Sequence, residues 1–176
     1  MNKYIKTKYN IKNDSMDWTL IKASVFLIEE ERKKQSEIEM IDSYIYCMKK
    51  LCDLMKSEFM EGVHVIRLYS LSIPYFFICR HSLELKIKKS IESKTEKVKK
   101  GHNIIKLWNE CKIINNKELK YYDELINTVN LLDDDGTKFR YAKDLEGNAY
   151  DDTSYFLNIE KIKDDIIKLN DEIVNG

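Results

Sequence analysis

Four ionisable side chains lie in one short run of the chain: Arg80, His81, Glu84 and Lys88. A guanidinium can hold a phosphate or a carboxylate through two parallel hydrogen bonds. A carboxylate four residues further on could orient that guanidinium or act as a base, and an imidazole could move a proton near neutral pH. The run sits in the segment SIPYFFICRHSLELKIKKSI, residues 72–91. Stepping about 100° per residue around a helix axis puts Ile73, Phe76, Leu83, Ile87 and Ile91 on one apolar face. Arg80 falls in the middle of that face, Glu84 about 40° away, and His81 and Lys88 at its edge. Ser82, Lys86 and Lys89 fall on the other side and are expected in solvent. A guanidinium centred on an apolar stripe is costly unless it is paired. Arg80 and Glu84 therefore have two readings, a buried structural ion pair or a site. In a site, Arg80 would hold an anion, and Glu84 would orient it or serve as a base.

Further candidates lie downstream. His102 stands in Gly101-His102-Asn103, just before an apolar periodic stretch. That is a helix start, where free N–H groups favour anions; the alternative is that His102 only caps the helix. Arg140, Tyr141 and Asp144 sit in a long polar stretch that could fold over the central helix and complete a pocket, or form an ordinary surface hairpin. The lysines of residues 86–100 could track a nucleic-acid backbone, but Glu92 and Glu96 interrupt them, so a solvated face is the plainer reading. Asp133-Asp134-Asp135-Gly136 reads as a turn, not a metal site. His64 has no supporting context. There is no P-loop, dinucleotide fingerprint, nucleophile elbow or zincin motif. Cys47, Cys52, Cys79 and Cys111 show no CxxC spacing and are expected as reduced core residues. No metal and no cofactor is expected.

Helices must position these groups. One proline and five glycines suit long helices better than a turn-rich β fold. The spacing predicts a helix from near Trp18 with Ile21, Val25 and Ile28, capped by Asp14, Ser15 or Asp17. A second carries Ile41, Tyr44, Met48, Leu51 and Met55, and the two could be continuous. Gly62 breaks the pattern, and residues 63–71 read equally as strand or as helix leading into the next. Pro74 fits the first turn of the central helix with Ser72 as its cap. That helix should fade within residues 91–100. A short helix follows with Ile104, Ile105, Trp108 and Cys111, then one with Leu119, Tyr122 and Val129 that ends at the aspartate turn. Residues 137–156 are the long non-helical stretch, where Phe139-Arg140-Tyr141 and Tyr155-Phe156 could pair as a small hairpin across Glu146-Gly147-Asn148. A last helix, capped by Asn158, carries Ile159, Ile162, Ile166 and Leu169.

At 176 residues the chain is expected to form one domain, residues 1–176, with the N-terminal helices of 1–60 packed on a core of 62–175. Basic and acidic residues both number 30, so no global charge selects nucleic acid or a membrane surface. No signal peptide is seen, and no apolar run approaches the roughly 18 residues of a membrane span. A cytoplasmic protein without a membrane partner is expected.

The residues Arg80-His81-Ser82-Leu83-Glu84-Leu85-Lys86-Ile87-Lys88, followed by Gly101-His102-Asn103-Ile104-Ile105-Lys106-Leu107, resemble the core of HEPN-type helical domains. There a helix with a Glu and a Lys one turn apart precedes a (G/T)H-(D/N)-(L/I) helix start, and Glu84, Lys88 and His102 match. Phe139-Arg140-Tyr141 and Asp144 are similar to an FRYPxD-like segment of some bacterial relatives, with Ala142 in place of the proline. The resemblance covers residues 72–144. It implies an all-α helical bundle that commonly dimerises, found in toxin–antitoxin and phage-defence systems. It also implies a metal-independent endoribonuclease, or a non-catalytic relative that binds RNA, a nucleotide or a partner protein from a neighbouring gene. The family's catalytic signature is an arginine followed about four to six residues later by a histidine. Here His81 follows Arg80 directly, and no histidine follows Arg140. The expectation is thus a HEPN-like bundle of about five to seven helices with a small loop or hairpin insertion near residues 137–156. Arg80, His81, Glu84 and His102 are its catalytic candidates, and Lys88, Arg140, Tyr141 and Asp144 its substrate contacts.

Overall fold

A computed structural model describes residues 37–62, 65–97, 99–115, 119–140 and 157–174, all within the unit Ser36–Gly176. Among them run five α-helices: α1 (Glu37–Met60), α2 (Val65–Thr95), α3 (Ile104–Asn115), α4 (Asp123–Leu132) and α5 (Ile159–Val174). A single 3-10 turn, Lys120–Tyr122, leads into α4. No strand occurs among the described residues, and the fold is all-α. The helix expected from Trp18 lies outside the described residues, as does the hairpin across 146–148. Residues 137–140 form a turn in which the Arg140 N–H donates to the Thr137 carbonyl at 2.9 Å. No described helix is long and apolar enough to cross a membrane.

The helix α2 is the axis of the bundle; α1, α3 and α5 all pack against it. From α1 come Ile41, Ile45, Met48, Cys52 and Met55, buried at three- and four-residue spacings that make one face. From α5 come Ile162, Ile166, Leu169 and Ile173, equally periodic. Ile104, Leu107, Trp108 and Cys111 supply the buried side of α3. All join one core with Tyr75, Cys79, Leu83, Ile87 and Ile91 of α2.

Helix ends follow local chemistry. Asn103 caps α3, its Oδ1 accepting the Lys106 N–H at 2.9 Å. Asn158 caps α5 in the same way, through the Lys161 N–H at 3.0 Å, as its sequence position predicts. Past Thr95, Glu96 takes a left-handed φ of 56°, which stops α2 within the lysine-rich stretch.

Three expectations fail. Helix α2 starts at Val65, so of the two readings of residues 65–71 the helical one holds, but Ser72 is not its cap and Pro74 lies inside the helix. The proline is exposed, so its ring meets solvent, not a neighbouring helix. Ser82 and Lys86 are buried, not solvated. They line a small cavity with Ile45 of α1 and Ile166 and Leu169 of α5, because two helices cover the side of α2 that periodicity assigns to water. Burial lowers the pKa of Lys86, opposed by the fields of Asp42 and Asp171. Cys47 is exposed, whereas Cys52, Cys79 and Cys111 are buried free thiols.

Candidate functional site

Arg80 is 3 % exposed and Glu84 is 3 % exposed, so the charged pair sits within the core layer of α2. The guanidinium spends its donors on protein. Nε donates to the Asp133 carbonyl at 2.8 Å and Nη1 to Glu84 Oε2 at 2.6 Å. Nη2 donates to the His102 carbonyl at 2.5 Å and, more weakly, to the Asp134 carbonyl at 3.5 Å. One planar fork thus joins α2, the segment before α3 and the turn after α4.

Glu84 collects three cationic or potentially cationic groups. Beyond Arg80, its Oε1 accepts from Lys88 Nζ at 2.7 Å and meets His102 Nδ1 at 2.8 Å. Burial alone would raise its pKa, but the hydrogen bonds from Lys88, Arg80 and His102 outweigh burial and hold it below its ordinary value. An ionised carboxylate only accepts hydrogen bonds, so His102 Nδ1 must carry the proton. In the neutral ring, Nε2 then carries the lone pair. The His102 side chain is 61 % exposed, although the carboxylate that holds it is buried. Asn103, not His102, caps α3.

The turn after α4 supplies partners that the sequence reading missed. Asp133 is buried, and its Oδ2 lies 3.7 Å from Arg80 Nε. Burial raises its pKa, partly offset by the Lys138 N–H and by Arg80. Gly136 takes a φ of 79°, and a Cβ there would stand 3.1 Å from Arg80 Cζ and Nη1. This glycine is needed both for its backbone conformation and for the guanidinium lying against it. The carboxylates of Asp133, Asp134 and Asp135 lie within 4.8 Å of one another. Asp133 faces Arg80, and Asp135 closes the turn onto the Thr137 N–H at 2.8 Å. The only signal in the sequence was the turn-forming Asp-Asp-Asp-Gly itself.

Arg140 is exposed, and its Nε donates to the Gly136 carbonyl at 2.5 Å. The turn that carries it is fastened to α2 by Phe139, which stacks on Phe76 with ring centroids 5.8 Å apart. Tyr141 and Asp144 lie outside the described residues. His81 does not join the Glu84 hydrogen bonds among the described contacts. It stacks on Phe77 at 5.5 Å and meets the edge of Tyr44 of α1 at 5.0 Å. Burial lowers its pKa; Glu84 opposes this, and Arg140, Arg80 and Lys88 add to it. The structure therefore brings Arg80, Glu84, Lys88 and His102 into one network. Arg140 sits on the adjoining turn, and His81 in an aromatic cluster between α1 and α2.

Comparison with curated proteins and with solved structures finds no match. The family model described as the HEPN domain matches residues 74–173, from inside α2 almost to the end of α5. That span holds the whole Arg80–Glu84–His102 network, and the chain belongs to the HEPN domain family.

Proposed function

We propose that this HEPN domain protein acts on RNA as a metal-independent endoribonuclease of a bacterial or phage defence or stress system, with His102 as the group that moves the proton. One observation carries the reading. The exposed His102 ring is held through Nδ1 by the buried Glu84 carboxylate, which in the neutral ring leaves Nε2 to act as a base. In the reaction, a ribose 2′-oxygen attacks the adjacent phosphorus while Nε2 takes its proton. The 2′-O–P bond forms, the P–O5′ bond breaks, and the 5′-oxygen leaves with a proton returned by the imidazolium. A cyclic phosphate and a 5′-hydroxyl result. An ammonium carries three donors, and Glu84 takes one from Lys88, so Lys88 can also face a phosphate. Arg140, with Tyr141 and Asp144, completes the substrate contacts. Arg80 is not assigned to the phosphate, since each of its three nitrogens already donates to a protein group and the residue is buried. The whole chain, residues 1–176, acts as a single HEPN-like domain in a cytoplasmic homodimer.

A second reading is favoured by those same contacts of Arg80 together with the missing Arg–His spacing. In it the domain is non-catalytic and binds RNA, a nucleotide or a protein encoded by a neighbouring gene. The two separate on incubating the protein with mixed RNA in EDTA. Cleavage by the wild type that His102→Ala abolishes, with the thermal unfolding temperature unchanged, supports the enzyme. Intact RNA after prolonged incubation with the wild type removes it. Retained RNA binding by anisotropy, or a stable complex in a pull-down with the neighbouring gene product, then supports the second reading. Light scattering at micromolar concentration tests the dimer, and a monomer mass overturns it.

A further inference from the structure

We infer that Arg80 is a positioning residue: its buried guanidinium sets the register between the two separate segments that present His102 and Arg140. His102 is held at two points, and both trace to this one side chain. Its backbone carbonyl accepts directly from Nη2 at 2.5 Å. Its ring is held by Glu84 Oε1 at 2.8 Å, while Glu84 Oε2 takes Nη1 at 2.6 Å. Gly101 and His102 precede α3, whose hydrogen bonds begin with the Leu107 N–H donating to the Asn103 carbonyl at 3.1 Å, so the contacts of Arg80 and Glu84 are what hold the His102 carbonyl and ring.

The second segment leans on the other edge of the same fork. The carbonyls of Asp133 and Asp134 accept from Nε and Nη2, at 2.8 and 3.5 Å. Gly136 lies against the guanidinium face, and its carbonyl accepts from Arg140 Nε at 2.5 Å. Because the guanidinium is planar and rigid, the spacing between its donors fixes the spacing between the two segments. A lysine at the same place would bring the charge and three N–H groups on a single nitrogen, but not the planar fork whose separate nitrogens keep the two sides a fixed distance apart. Burial of charge does not account for the arrangement by itself, since well-packed apolar groups fill such a space equally well or better. What an apolar replacement cannot do is reach the carbonyls of residues 102 and 133 together.

The consequence for cleavage rests on the reading of His102 as the reactive group, whereas the coupling itself can be observed on the imidazole without any substrate. The test uses the full chain labelled with nitrogen-15 and reads the ring nitrogens of His102. The wild type is expected to show the single Nδ1–H tautomer. Arg80→Lys and Gly136→Ala are expected to convert it to an averaged mixture of tautomers. Gly136→Ala acts from the opposite segment, through the Cβ pressed on the guanidinium. Gly62→Ala is the control: it has a comparable φ of 69° but open space around its Cβ, so the His102 signals should not move. If Gly136→Ala does not fold, Arg80→Lys decides alone. Unchanged ring signals in a folded Arg80→Lys or Gly136→Ala overturn the inference, whatever happens to thermal stability. Where RNA is cleaved, the same two variants should lose about a hundredfold in rate. Altered ring signals with no cleavage by the wild type leave Arg80 as the positioning residue and remove the ribonuclease reading instead.

Discussion

Arg80 can be buried because its donors meet protein acceptors: one carboxylate and the carbonyls of His102, Asp133 and Asp134. Arg80→Met should therefore cost about 3–5 kcal/mol, the usual penalty for breaking a buried ion pair, here leaving Glu84 only Lys88 and His102. Urea denaturation measures it, and the double variant Arg80→Met, Glu84→Met should recover most of the loss. A loss that stays the same in the double variant would mean that the carbonyls, not Glu84, set the cost. His81 gives a pH dependence of definite sign. Its folded pKa lies below the unfolded value of about 6.5, so the folded state prefers the neutral ring. The associated stability is complete above about pH 6.5 and is lost as pH falls through the lowered folded value. Thermal unfolding from pH 8 to 5 should show this decline, and His81→Phe should flatten it. Glu84 acts in a lower window: its stabilisation is present above about pH 4.3 and is lost as pH falls through a folded value lower still.

At the scale of elements, α2 explains both what periodicity revealed and what it concealed. A helix packed by α1, α3 and α5 has little true solvent face, so the charged residues Arg80, Glu84 and Lys86 are all buried. The apolar flanks of Arg80 were legible in the sequence; the helices covering Ser82 and Lys86 were not. Pro74 removes a backbone donor in the middle of α2. An interior proline costs about 3 kcal/mol against alanine. About 1 kcal/mol of that is returned by its stiffening of the unfolded chain. Pro74→Ala should thus stabilise the protein by about 1–2 kcal/mol, seen as a higher unfolding temperature. The opposite change is expected at the start of α3. Asn103→Ala removes a cap worth about 1 kcal/mol. Hydrogen exchange in the first turn of α3 should accelerate, while α5, capped by Asn158, keeps its protection.

For the whole molecule, α5 closes the bundle from the far end of the chain. Leu169 is fully buried and lines a small cavity with residues of α1, α2 and α5, and Leu169→Ala should cost about 2–5 kcal/mol by enlarging it. Chemical denaturation checks it, and a loss under 1 kcal/mol would mean that the bundle collapses onto the space. The sequence by itself determined the helical class, the cap at Asn158, the apolar flanks of Arg80 and Glu84 and the likeness to HEPN domains. Those features depend on residue type at short spacing, which a linear chain displays directly. Tertiary structure alone decided that α2 begins at Val65, that His81 belongs to an aromatic cluster, and that Glu84 holds His102. It also decided that carbonyls from residues 102, 133 and 134 accept from the guanidinium. Every residue carries a backbone carbonyl, so nothing in its side chain marks which carbonyl a distant arginine will meet. Only the packing of α3 and of the turn after α4 against α2 selects it.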